Sequence, residues 1–374
     1  MAVTLSAALA VALLPTAVAI PRDDSIGPNQ VRGRQWHLQY LDAARAHRIS
    51  RGEGVVVALE DTRIYNHPDL DGNVLPSADI IGSGGNSRQE PSSHGTLMAG
   101  LIAAHGQGGN KGALGIAPQA KVLPVRVQPD IEQGSSDLLA AGIEWATANH
   151  ADVISISSVA GASVRLQRAV KAALEANIVV VAAAGNQPGD LSVGYPASER
   201  GVIAVGGCNQ TGVHASVSVT GQEIDVVAPA VDIYSTSYDG KYSKGTGTSS
   251  ATAIVAGAAA LIRSKYPDLP AEEVAHRLTA TAIDKGPPGR DDEYGYGVID
   301  LVAALTADVP PLGFESSDVT APAPTRAEQA GGGGDDGATA RGLATLGVLV
   351  AAGGGYLVWR RRRRADDPPP RISR

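Results

Sequence analysis

The chain has 374 residues, 43% hydrophobic and 18% charged, which is long and apolar enough for a large core and excludes an intrinsically disordered chain. Its single cysteine, Cys208, excludes an intramolecular disulfide and any cysteine-based metal cluster, and reads as a small buried hydrophobe. Net charge is −7, but residues 360–374 carry seven Arg against two Asp, so residues 1–359 carry −12 and offer no electrostatic footprint for nucleic acid.

Residues 3–19 are apolar or small apart from Thr4, Ser6 and Thr16, and end in Ala17-Val18-Ala19. That pattern predicts a signal peptide over residues 1–19, although no Lys or Arg precedes it. Residues 20–35 form a polar N-terminal extension that reads as an extended arm, too short for a folded pro-domain; occlusion of a cleft by this arm is an expectation that truncation tests. Residues 54–60 are a β-branched run of strand length closed by Asp61-Thr62. An acid at the carboxyl end of a parallel strand is where open α/β sheets place their sites, though on this segment alone Asp61 reads equally as a turn former.

A Gly- and Ser-rich loop over 82–93 delivers His94-Gly95-Thr96, which opens a helix of small residues over 97–104. Small residues there let the helix approach another backbone closely and hold His94 in place. The middle of the chain alternates: strand 121–127, helix 136–149, strand 152–157, helix 163–176, strand 178–184, with further strands at 202–205 and 224–227. This alternation predicts a mainly parallel sheet covered on both faces. The strand end Ala182-Ala183-Ala184-Gly185-Asn186 places an amide at the sheet's carboxyl edge, where it can donate to a developing oxyanion.

Gly245-Thr246-Gly247-Thr248-Ser249 is a tight loop running into an apolar helix that ends near Lys265. Ser249 therefore sits at a helix N-terminus, where unpartnered N–H groups and the dipole stabilise negative charge. An N-cap role alone would also explain a serine there. A surface helix over 270–281 and a short helix ending near Leu305 follow. Residues 309–341 turn to Pro, Ala, Gly, Ser and Asp and read as a flexible linker. Residues 342–359 are 18 residues without a charge, diluted by five glycines, closed by five arginines at 360–364. They read as a single spanning helix with the basic tail, 360–374, in the cytoplasm and everything before it outside.

Asp61-Thr62, His94-Gly95-Thr96, Ala184-Gly185-Asn186 and Gly247-Thr248-Ser249 occur in the order Asp, His, Ser, and the chain resembles the subtilases, the subtilisin-like serine peptidases. Leu114-Gly115-Ile116-Ala117-Pro118, Tyr195-Pro196-Ala197, Val227-Ala228-Pro229 and Gly295-Tyr296-Gly297-Val298 support the resemblance. It implies a subtilisin-like three-layer α/β fold over 36–308, and an Asp61-His94-Ser249 triad acting on a protein or peptide substrate. It also implies an oxyanion hole with Asn186, and substrate-binding residues Ser157, Ala183, Ala184 and Gly185. No cofactor is implied; calcium sites in this family rest on scattered loop oxygens, and no residue here is assigned to one. The two ends are similar to the mycosins, membrane-anchored subtilases of actinobacterial type VII secretion, which adds a secretion membrane complex as a partner.

Three departures stand out. Glu60 precedes Asp61 and Arg63 follows Thr62, where subtilases have an apolar residue and a glycine; a carboxylate inside a strand needs a partner, and Arg63 or a substrate group could supply it. The usual Ser-Leu-Gly appears as Ser157-Ser158-Val159-Ala160-Gly161, and the residues after Ser249 lose a proline. They keep open a second reading, a subtilase-fold scaffold of a secretion complex with weak or no proteolysis, which requires Arg63 to hold Asp61 away from His94.

Overall fold

The β-branched runs of the sequence form the strands of a parallel sheet. In a computed structural model, residues 26–82, 92–128 and 135–313 are described. The signal-peptide expectation, nearly all of the linker, the spanning segment and the basic tail lie outside the described residues. In chain order the elements are α1 (Pro28–Arg34), α2 (Trp36–Tyr40), α3 (Ala43–Ala46), β1 (Val56–Asp61), β2 (Ala78–Asp79), α4 (His94–Ala103), β3 (Lys121–Arg126) and α5 (Ser136–Ala148). There follow β4 (Val153–Ile156), α6 (Val164–Glu175), β5 (Val179–Ala183), β6 (Ile203–Cys208), β7 (Val226–Pro229), β8 (Ile233–Thr236), β9 (Tyr242–Gly245), α7 (Thr248–Lys265), α8 (Ala271–Ala280) and α9 (Leu301–Thr306).

Among the described residues the main sheet has seven strands in the order β2-β3-β1-β4-β5-β6-β7, all parallel. From β1 the chain first lays β2 at one edge, fills the place between with β3, then crosses over and builds outward on the other side through β4 to β7. The order reverses around β1, the kind of switch point where such sheets carry their sites. Period-2 alternation splits β1 between two cores: Val57 and Leu59 pack with α4 and α7, while Ala58 packs with α5 and α6. Asp61, two residues beyond Leu59, thus points toward α4 and α7, and Glu60 points to the opposite face.

α7 is buried all round from Thr248 to Arg263, as its uninterrupted run of small and apolar residues requires. Close approach follows from the glycines. A Cβ on Gly257 would lie 2.7 Å from Ile116 Cβ, so α7 can meet the 114–117 segment only with glycine there. Among the described residues no helix is long and apolar enough to cross a membrane.

Two features differ from expectation. The extended arm of the N-terminal extension is, over Pro28–Arg34, a helix with Pro at its first turn, because Val31 finds a fully buried site. Burying that valine contributes about 1.5 kcal/mol. Pro28's carbonyl accepts the Gly112 N–H at 2.7 Å, Arg32 Nε donates to Gly112 O at 3.1 Å, and the Gln35 side chain accepts from Leu114 N (2.8 Å) and donates to Leu114 O (3.0 Å). β8 and β9, which the sequence reading did not predict, form an antiparallel hairpin that packs on α4. Asp239 and Gly240 both have positive φ, 56° and 66°, the geometry that an Asp-Gly turn provides.

His37, on α2, is fully buried with no hydrogen-bond partner on either ring nitrogen, and burial pulls its pKa down to about 3. An unfolded histidine titrates near 6.5, so between pH 6.5 and 3 the unfolded chain binds the proton and the folded one does not. Stability is therefore lost as pH falls through this window, by about 2 kcal/mol at pH 5 from this residue. His37→Leu is expected to flatten the slope of denaturation midpoint against pH between 7 and 5; an unchanged slope would assign it to other groups.

Candidate active site

Asp61 ends β1 fully buried. Its Oδ1 accepts the Thr62 N–H at 2.7 Å and faces His94 Nδ1 at 2.7 Å. A carboxylate can only accept, so Nδ1 carries the proton and the Nε2 lone pair is left free to act as a base. Burial alone would lower the His94 pKa, but the Asp61 charge and hydrogen bond outweigh it, and the pKa is raised above its usual 6.5. The His94 side chain keeps 38% of its surface exposed, so it can still reach an incoming ligand.

The position of His94 follows from its neighbours. Gly95 N–H donates to Thr62 Oγ1 at 3.0 Å, and a Cβ on Gly95 would sit 2.5 Å from the Thr62 carbonyl oxygen. Only glycine lets the first turn of α4 lie against the end of β1. A Cβ on Gly100 would sit 2.1 Å from Thr236 Oγ1, so the same helix is pressed onto the β8–β9 hairpin. Thr236 Oγ1 also donates to Thr96 O at 2.6 Å.

Ser249 is the second residue of α7 and is 9% exposed. Its hydroxyl donates to the Ser157 carbonyl at 3.1 Å rather than to His94; bonds between such groups often tighten only once a substrate binds. Asn186 stands on the other side of the α7 N-terminus. Its Oδ1 accepts from Thr248 N at 2.9 Å and from Thr248 Oγ1 at 3.2 Å. Because a backbone N–H can only donate, the atom facing it is the amide oxygen, and the Asn186 NH2 is turned away, available as a donor.

The expected substrate residues lie alongside. Ser157 gives its carbonyl to Ser249, while its own Oγ is buried without a partner. Ala183 and Ala184 are buried at the end of β5; Ala184 donates to Val205 O at 3.0 Å and accepts from Gly194 N at 2.9 Å. Gly185 has φ +119°, a conformation that favours glycine, and its carbonyl accepts from Val219 N at 3.2 Å. These residues make a wall whose own polar groups are largely paired within the fold.

Glu60 and Arg63 do not interact. Glu60 is fully buried beside α5, where a Cβ on Gly142 would meet its Cδ at 2.9 Å; neither oxygen has a partner, and burial pushes its carboxyl well above the usual range. Burial thus favours its neutral form, which is how an unpaired carboxyl avoids the cost of a buried charge. Arg63 is exposed and makes no ion pair among the described residues. The arrangement that a scaffold reading needs, Arg63 on Asp61 and His94 left alone, is not the one observed. The pairing of Glu60 with Arg63 is likewise corrected, because strand alternation turns Glu60 to the other face.

Thr62, Thr96 and Thr248, present in the motifs but given no role there, and Thr236, outside them, hold the site together through their hydroxyls and backbone groups. Thr62 and Thr248 stand next to the motif residues, which was the available signal. Among the described residues no group of three or more His, Cys, Asp or Glu side chains comes together as metal ligands, so none is assigned to calcium. A groove of about 670 Å3 at the amino-terminal ends of β5 and β6, between Leu174, Arg200 and Ala271, lies away from this site and is lined by no serine, histidine or cysteine.

The subtilase family (peptidase S8) matches residues 52–297. Subtilisin E of Bacillus subtilis (strain 168) is 40% identical over 294 residues, 77% of this chain and 75% of that protein; subtilisin of Bacillus pumilus is 43% identical over 259 residues, 68% of this chain and 91% of that protein. Among solved structures, MycP1 with its N-terminal propeptide removed superposes with a TM-score of 0.66 at 30% identity, covering 74% of this chain and 98% of that one. MycP1 from the ESX-1 type VII secretion system superposes with a TM-score of 0.64 at 28% identity, covering 78% of this chain and 88% of that one.

Proposed function

The chain belongs to the subtilase family and is a serine endopeptidase, and from that premise we propose that Asp61, His94 and Ser249 are its triad, working outside the cell from a membrane anchor beside a type VII secretion complex. The observation that carries the triad is the 2.7 Å contact of buried Asp61 with His94 Nδ1, which leaves Nε2 as the base. On substrate binding, Ser249 Oγ leaves the Ser157 carbonyl, gives its proton to His94 Nε2 and attacks the scissile carbonyl carbon. Asn186 Nδ2 and the Ser249 N–H then donate to the oxyanion, the latter helped by the N-terminal end of α7. His94 passes the proton to the leaving amine, an ester on Ser249 remains, and a water activated by the same Nε2 hydrolyses it. Asp61 holds the imidazole's tautomer and balances its positive charge while the proton is on loan.

The buried walls at Ser157 and at Ala183, Ala184 and Gly185 are proposed to flank the bound peptide. Anchoring rests on the uncharged 342–359 and the arginines 360–364, which put the catalytic domain outside and the tail in the cytoplasm. The secretion association rests on the similarity to MycP1, whose own system is ESX-1.

Asn186→Ala tests the oxyanion assignment. It is expected to lower kcat by about 10²–10³, a scale measured for removal of such a donor in a subtilisin, with KM little changed. A kcat within twofold of wild type would contradict the assignment.

A further inference from the structure

Every polar group of Asn186 except its NH2 is engaged within the fold. Thr248 takes the side-chain oxygen, as described. The two backbone groups go to a residue that nothing in the motif announces. Asn186 N–H donates to Asp190 Oδ2 at 2.7 Å, and the Asp190 N–H donates back to Asn186 O at 2.9 Å. The Asp190 carboxylate also lies flat against the preceding residue: a Cβ on Gly185 would be 2.9 Å from its Oδ2 and 3.1 Å from its Cγ. Gly185, at φ +119°, makes room for it. From the far side, Gln187 N–H is held by Val217 O at 2.8 Å.

The geometry points to Asp190 as a positioning residue of the oxyanion hole, one that acts through the Asn186 backbone and rests on the assignment of Asn186 as oxyanion donor. The physical reason is the narrow tolerance of such a donor. A hydrogen bond to the oxyanion is useful only within about 2.7–3.1 Å, and a displacement of about 1 Å is enough to lose most of it. Thr248 fixes the rotation of the amide but not the place of the Asn186 Cα. Asp190 fixes that place by closing a turn over residues 186–190, its side-chain oxygen accepting the Asn186 N–H and its own N–H returning to Asn186 O. The first of these bonds also removes the Asn186 N–H from competition, so the side-chain NH2 is the Asn186 donor left for the substrate.

The carboxylate carries a cost as well. A negative charge near a developing oxyanion opposes it, so what the site uses is the acceptor oxygen and not the charge. This separates a positioning role from an electrostatic one. Asp190→Asn keeps an acceptor for the Asn186 N–H and drops the charge, whereas Asp190→Ala loses both.

The test uses the full 374-residue chain and a fluorophosphonate probe, whose phosphoryl oxygen occupies the oxyanion position. Labelling rate is measured against probe concentration to separate the maximal rate from half-saturation. Asp190→Ala is expected to lower the maximal rate about 10–30-fold with half-saturation within about twofold, and Asp190→Asn to rescue most of it. In an Asn186→Ala background, Asp190→Ala is expected to cost less than about threefold, because the donor it positions is already gone. An equal loss in both backgrounds, a loss confined to half-saturation, or an Asp190→Asn as slow as Asp190→Ala would overturn the proposal. If Asp190→Ala does not fold, Asp190→Ser replaces it; failure of both to fold would make the carboxylate a stability element and also overturn it. Wild-type labelling by Asn186→Ala alone would remove the oxyanion assignment instead.

Discussion

Ser249→Ala is expected to lower peptide hydrolysis by about 10⁶, and His94→Ala by about as much, a scale set by triad deletions in a subtilisin. This corresponds to about 8 kcal/mol of lost transition-state stabilisation. In the proposed triad the two residues act as one unit: a serine hydroxyl is a weak nucleophile until a base takes its proton, and the base has nothing to activate once the hydroxyl is gone. The double variant is therefore expected to be no worse than either single one. Residual activity comes from the oxyanion donors, which neither change touches. Ser249→Ala removes one part-buried hydrogen bond, that to the Ser157 carbonyl, and should lower stability by only about 1 kcal/mol. Near-native thermal unfolding together with the loss of turnover distinguishes chemistry from misfolding. A loss below about 100-fold would show that Ser249 is not the nucleophile.

Asp61→Asn is expected to lower kcat/KM by about 10⁴ and to move the acid limb of its pH profile. Asp61 Oδ1 takes both the Thr62 N–H and His94 Nδ1–H, while Oδ2 is buried without a partner. An asparagine can keep its oxygen on those two donors, which strands the NH2 in the Oδ2 site and leaves the imidazolium without its counter-charge. If the amide flips, its NH2 faces Nδ1 and the proton moves to Nε2, which removes the base. Either orientation slows the reaction. The sign of the pH effect follows from what raises the His94 pKa: burial lowers it, and the Asp61 charge and hydrogen bond more than reverse that. The proposed mechanism needs neutral His94, so the raised pKa is expected to set the wild-type acid limb, and in Asp61→Asn, with the charge gone, the limb is expected to move to lower pH. An acid limb that stays where it was would show that His94 is not the group titrating.

The sequence made the sheet and the site motifs legible because both rest on short-range patterns. Strands such as β1 and β5 are β-branched runs, Asp61 closes one of them, and His94, Asn186 and Ser249 sit beside or close to glycines. Gly95 marks the limit of that legibility: the small residue beside His94 was visible, but its approach to Thr62 O, 33 residues away, is set by the docking of α4 on β1. What was not legible depends on tertiary placement. α1 forms because Val31 reaches a core site and Gln35 pairs with Leu114, 79 residues away, neither of which a local polar composition reveals. The face that Glu60 occupies was derivable from alternation with Leu59 and Asp61, yet the cost of a lone buried carboxyl suggested a partner that the fold does not supply. The β8–β9 hairpin had its Asp239-Gly240 signal, diluted by flanking Ser and Lys. Asp190 had none, since an Asp in a Pro-Gly turn reads as any other turn residue.

Catalysis is proposed to turn on one contact: His94, held by Asp61, activates Ser249. Fluorophosphonate labelling of the full chain tests it most directly, because the probe reports an activated serine whatever the natural substrate. Stoichiometric labelling of the folded wild type at Ser249 is expected, and none of folded Ser249→Ala or His94→Ala. A folded wild type that is not labelled, or a label that persists in Ser249→Ala, would contradict it.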